Sequence, residues 1–123
     1  MARILLIDDN EIVRATIRRV LTVSGHTVET AADGTVGLAI FAAAQFDVVV
    51  CDMHMPGEGG GATIRAIRGR DSRVGIIAIS GSGPSDTLAG ASSLGADLTL
   101  GKPFANQDLL AAVTRAGGLR PPG

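Results

Sequence analysis

Five short runs of apolar, largely β-branched residues, alternating with longer stretches of helical period, set the tightest limit on what this chain can fold into. They are Ile4 to Ile7, Thr27 to Ala31, Asp47 to Cys51, Val74 to Ile79 and Ala96 to Leu100. This alternation is the pattern of an α/β domain built on a parallel sheet covered on both faces. Between the first two runs Ile17, Val20, Leu21 and Ser24 recur at helical spacing, with Val13 at the rim, Asn10 able to cap the start and Gly25 the end. Asp33 can cap a second helix carrying Val36, Ile40 and Ala43 on one face, although Gly34 and Gly37 each weaken it by up to ~1 kcal/mol. Further helices are expected from about Ala62 to Arg70, from Ser85 to Leu94 with Gly95 as terminator, and from Asn106 to Ala116 before Gly117-Gly118. The expected order is βα repeated five times.

Bulk properties narrow the function classes. With 123 residues, 46% of them apolar and 19% charged, the chain can bury a single core, which argues against intrinsic disorder. A formal net charge of -1 and scattered arginines leave no basic stripe that could track a nucleic-acid backbone, so no direct nucleic-acid partner is expected. Only a few strongly apolar residues precede Asp8 and Asp9, too few for a signal-peptide core, and no stretch approaches the ~20 apolar residues of a membrane span. The reading is a cytoplasmic chain without a membrane partner. Cys51 is the sole cysteine; it excludes an intrachain disulfide and reads as a small core residue of the third run.

Ligand sites in open parallel sheets form beyond the carboxyl ends of the strands. Asp8 and Asp9 follow the first run, Asp52 the third, Ser80 the fourth and Lys102 the fifth. Taken singly, an aspartate or serine after a strand is more often a turn or cap residue. Together they weaken that reading. Three carboxylates held ~4 Å apart repel by about 4 kcal/mol per pair at an effective dielectric near 20, and one lysine cannot neutralise three acids. A hard divalent cation would, and Mg²⁺, or Mn²⁺ in its place, takes a few carboxylates plus waters and phosphate oxygens. Lys102 is the only lysine, the other ten basic residues being arginine. A compact ammonium suits a point contact with a phosphoryl oxygen better than arginine's planar fork. The rim reads as a Mg²⁺-assisted phosphoryl site.

Asp8-Asp9, Asp52-Met53-His54-Met55-Pro56, Ser80-Gly81, and Gly95-Ala96-Asp97 leading to Lys102-Pro103-Phe104 resemble, in order and spacing, the response-regulator receiver domain, from about Arg3 to Ala116. The resemblance implies a flavodoxin-like (βα)5 sandwich with a five-stranded parallel sheet in the order 2-1-3-4-5, spanning residues 1–117, with 118–123 as a tail or the start of a linker. It implies that Asp52 accepts a phosphoryl group as an acyl phosphate from a histidine kinase or histidine phosphotransfer protein. Asp9 and Asp52 would then ligate Mg²⁺ directly, Asp8 largely through water, and the backbone carbonyl of His54 would complete the protein's share. Lys102 would pair with a phosphoryl oxygen, and the Ser80 hydroxyl would turn inward to another. The Lys102-Pro103 peptide is expected to be cis, and Val13, Thr16, Pro103 and Phe104 lie where the phosphodonor would dock. The output would pass to a downstream target or a fused output domain. Beyond its own phosphorylation and dephosphorylation, no enzymatic turnover is implied.

Two positions depart from the family pattern. Thr99 stands where receivers usually carry an aromatic residue that swings inward with the hydroxyl, so switching through an aromatic rotamer is not expected here. His54 stands beside the path of the water that would hydrolyse the acyl phosphate, where an imidazole can alter the lifetime of the phosphorylated state or simply face solvent. Elsewhere, Gly57 to Gly61 reads as a flexible loop rather than a phosphate loop, because no lysine follows. Arg68, Arg70 and Arg73 read as a solvated helix end, and His26 as a turn residue without a second metal ligand.

Three other readings stand beside the receiver. A Mg²⁺-dependent aspartate-nucleophile phosphatase would need a second acid two residues after the nucleophile, where His54 stands. A flavin-binding module on the same fold would be expected to use Trp or Tyr, and the chain has neither. An interaction-only pseudo-receiver would have no use for the intact acidic set.

Overall fold

The computed structural model describes residues 1–55, 59–80 and 94–118. The five apolar runs are five strands, β1 (Arg3–Ile7), β2 (Thr27–Ala31), β3 (Val48–Asp52), β4 (Gly75–Ser80) and β5 (Leu98–Gly101). All pair in parallel, in the order β2-β1-β3-β4-β5. Four helices lie among the described residues: α1 (Glu11–Val23), α2 (Gly34–Ala43), α3 (Gly59–Arg70) and α4 (Asn106–Gly118). The expected helix from Ser85 to Leu94 lies almost wholly outside the described residues, as do Pro56, Gly81 and the tail from Leu119.

Successive strand residues point to opposite faces, and both faces are filled. Leu5, Ile7, Val49, Cys51, Ile76 and Ala78 meet Phe41, Ile64 and Ile67 from α2 and α3. Ile4, Leu6, Val48, Val50, Ile77 and Ile79 meet Ile17, Leu21, Leu109 and Val113 from α1 and α4. That two-sided burial is why β3 and β4 are buried at every position. The strands at the two edges of the sheet, β2 and β5, are only partly covered.

Helix starts follow the caps. The Asn10 side chain accepts from the N–H groups of Ile12 and Val13, and the Asp33 side chain from that of Val36, each satisfying donors that an α-helix leaves unpaired. Two expectations need correction. The buried residues of α2 are Gly37 and Phe41, not Val36 and Ala43. The helix lies with Gly37 against Ile7, where an added Cβ would come within 2.6 Å of the isoleucine Cδ1. The second concerns α3, which begins at Gly59 inside the glycine run that reads as a loop. Gly59 enters with φ +77°, a conformation in which glycine has no Cβ penalty. A Cβ on Gly60 would collide with the backbone carbonyl oxygen of Asp52. Close packing thus overrides glycine's poor helix propensity, and it sets the first turn of α3 against the end of β3.

Candidate functional site

Register alone assembles the rim. Ile7 pairs with Cys51 and Asp52 with Ile79, so Asp8, Asp52 and Ser80 sit at one level across three adjacent strands. Ser80 pairs in turn with Gly101, and the amide of Lys102 donates to the Ser80 carbonyl at 2.8 Å, placing the lysine beside them. Asp8 and Asp52 are buried, at 1% and 4% exposure, whereas Asp9 is open to solvent.

One carboxylate oxygen from each of Asp8, Asp9 and Asp52 falls within 4.8 Å of the other two. The Lys102 ammonium lies 3.7 Å from Asp8 Oδ2 and 3.7 Å from Asp52 Oδ2, shared between two acids. Asp8 Oδ1 accepts the Asn10 N–H at 2.8 Å, while its buried Oδ2 has no hydrogen-bond donor among the described residues. Burial pushes the Asp8 carboxyl above its ordinary value of 3.8; the Asn10 amide and Lys102 pull it down, and the Asp52 and Asp9 charges push it up. Three carboxylates meeting at one place, one of them with an oxygen that lacks a donor, form a donor set that fits a hard divalent cation such as Mg²⁺. The same surroundings push the Cys51 thiol up to about 12, burial being the main cause, so it stays protonated and inert.

His54 contributes at two points. Its amide donates to Asp52 Oδ1 at 2.9 Å, and its ring Nε2 lies 3.1 Å from the Ser80 hydroxyl. The ring contact had no signal in the sequence beyond the two-residue offset from Asp52. Nor did Arg14, whose guanidinium donates to the Asp8 carbonyl at 2.8 Å and braces the acidic turn.

The remaining candidates fall into separate places. The Lys102-Pro103 peptide bond is cis. Thr99 is half-buried in β5, opposite Ala78 of β4. Val13, Thr16, Pro103 and Phe104 line one groove of about 440 Å³ between α1 and the start of α4, which also reaches Lys102. Val13 serves both as groove wall and as packing for the core below it. The reading of Arg68 as solvated is wrong. It pairs with Asp97 Oδ2 at 2.7 Å and donates to the carbonyls of Val74, Asp71 and Gly95. Asp97 also accepts the Ile76 amide. His26 Nδ1 accepts the Ala2 amide at 3.0 Å, a structural tie across the sheet's start.

Residues 4–114 match the family described as response regulator receiver domain. The response regulator MprA of Mycobacterium tuberculosis is 38% identical over 110 residues, covering 89% of this chain and 47% of the relative. The chain thus spans about half the length of the curated relatives it matches. A response regulator receiver domain protein from Clostridium thermocellum superposes with a TM-score of 0.89 at 36% identity, over 94% of each chain. The chemotaxis protein CheY4 of Vibrio cholerae does so with a TM-score of 0.87 at 32% identity, over 94% of this chain and 98% of that one.

Proposed function

The chain belongs to the response regulator receiver domain family, and from that premise we propose that Asp52 is its phosphoacceptor, in a pocket completed by Asp8, Asp9, Ser80 and Lys102. The observation that carries this reading is the meeting of three carboxylates and one ammonium at the strand ends, with Lys102 shared between buried Asp8 and buried Asp52. Phosphoryl transfer asks mainly for positioning and charge neutralisation, and these groups supply both.

Asp9 and Asp52 would hold Mg²⁺, or Mn²⁺, directly, with Asp8 acting mainly through water and the His54 carbonyl as a further ligand. Bound there, the cation would neutralise the acids and the incoming phosphoryl oxygens. The Asp52 carboxylate attacks phosphorus in line; the bond from phosphorus to the donor imidazole breaks with its electron pair going to that nitrogen, and the imidazole leaves neutral, keeping the proton already on its other ring nitrogen. Its amide bond from His54 fixes the attacking carboxylate, since one oxygen is held while the other faces Lys102. Lys102 follows the charge onto a phosphoryl oxygen, and the Ser80 hydroxyl donates to another. The added charge then biases two arrangements of the surrounding loops. With Thr99 in β5, this response proceeds without an aromatic rotamer.

The donor would be a histidine kinase or a histidine phosphotransfer protein, docked along the Val13, Thr16, Pro103 and Phe104 groove. Relatives about twice as long support an output carried by a fused domain or a separate target. A phosphatase reading lacks support: two residues past Asp52 stands His54, whose ring lies against Ser80 in place of the required acid. Incubation with a small phosphodonor and Mg²⁺, followed by intact-mass measurement, tests the assignment. One phosphoryl group should appear on the native protein and none on Asp52→Asn; equal labelling of both would refute it.

A further inference from the structure

We propose that the His54 imidazole holds the Ser80 hydroxyl in reserve, so that a phosphoryl group on Asp52 obtains that hydroxyl only by taking it from His54. This rests on Asp52 as the phosphoacceptor. Ser80 is 3% exposed, and a buried hydroxyl needs a partner. Among the described residues that partner is His54 Nε2, at 3.1 Å. The Ser80 carbonyl is already taken by the Lys102 amide. His54 is itself exposed, yet its backbone is pinned to Asp52 Oδ1. The residue therefore bridges the ends of β3 and β4 across the nucleophile, its amide on the carboxylate and its ring on the hydroxyl.

A hydroxyl offers one proton and two lone pairs. An unused buried donor costs more than an unused lone pair, so the single Ser80 proton belongs on Nε2, with the imidazole proton on Nδ1. Every oxygen of an acyl phosphate is an acceptor. Phosphoryl oxygens and Nε2 thus compete for one proton, and a rotation of Ser80 between staggered wells decides which of them has it. His54 touches no reacting atom in this account. It is a positioning residue that sets how readily the hydroxyl changes partner.

Nitrogen-15 spectra of the cation-free, unphosphorylated protein test the resting state. The imidazole should be protonated at Nδ1, with an Nε2 resonance that moves in Ser80→Ala; an unmoved resonance overturns the proposal. Beryllofluoride with Mg²⁺, as phosphoryl mimic, tests the competition. His54→Phe fills similar space without an acceptor and should tighten mimic binding by roughly three- to tenfold, the weight of one net hydrogen bond. In the Ser80→Ala background that gain should vanish. Weaker binding in His54→Phe, or the same gain in both backgrounds, overturns it. Failure of the Asp52 assignment has a different signature, mimic binding that survives Asp52→Asn whatever the coupling between His54 and Ser80.

Discussion

Asp8 shows at one residue what burying a carboxyl beside other acids does. Its carboxyl is raised by burial first and by its acidic neighbours after that. The folded state therefore keeps the Asp8 proton at a pH where the unfolded chain has released it, and the folded form binds more protons. Stability from this group consequently falls as pH rises from its ordinary 3.8 through the raised value, and stays lower above it. Asp8→Asn keeps the shape and removes the charge. In the cation-free protein it should raise the thermal midpoint at neutral pH, by roughly 4 °C for each 1 kcal/mol relieved, and flatten this part of the pH profile. Wild type should recover most of the difference when Mg²⁺ is added, because a ligand bound only by the folded state stabilises it. A lower midpoint for Asp8→Asn would contradict the account. The positions of the acids, the serine and the lysine were legible in the sequence because each ends a strand or lies within two residues of its end. The ring of His54 and the guanidinium of Arg14 were not, since their partners lie on other elements and no spacing rule predicts where a side chain turns.

At the scale of elements, the decisive feature is the first turn of α3. Gly60 lies so close to the Asp52 carbonyl that a methyl group has no room, and the obstacle is backbone, which cannot swing aside. Gly60→Ala should cost about 1–3 kcal/mol, the usual range for overpacking, and should slow phosphorylation by displacing Asp52, the proposed nucleophile. A variant as stable and as quickly labelled as wild type would show that the approach is looser than described. Strands were readable to within two residues at either end because two-sided burial writes continuous apolar runs. The start of α3 was not, because three consecutive glycines carry no periodic signal and only the contact with β3 makes them helical. Arg68 illustrates the same limit. Its place at a helix end suggests solvent, whereas Asp97 and three carbonyls from neighbouring turns enclose it.

At the scale of the whole molecule, sheet order and register bring four distant stretches of chain to one rim, and the groove between α1 and α4 opens directly onto it through Lys102. Ile12 at its edge is 78% exposed, an apolar side chain with no support of its own. For a phosphohistidine donor seated in that groove, Thr16→Arg should lower the ratio of transfer rate from the protein donor to labelling rate from a small phosphodonor, by tenfold or more on the order of one or two lost contacts. An unchanged ratio would move the docking surface elsewhere. Repeated strand-helix alternation made the architecture legible; the groove's residues came only from the family resemblance, because the groove exists only once two helices far apart in sequence lie side by side. The ammonium midway between Asp8 and Asp52 has a last consequence. Any drift toward an acyl phosphate formed on Asp52 would leave Asp8 less neutralised and deepen its demand for a counter-ion. If Asp52 is the phosphoacceptor, a non-covalent phosphoryl mimic and the cation are then thermodynamically linked, each raising the affinity for the other by the same factor.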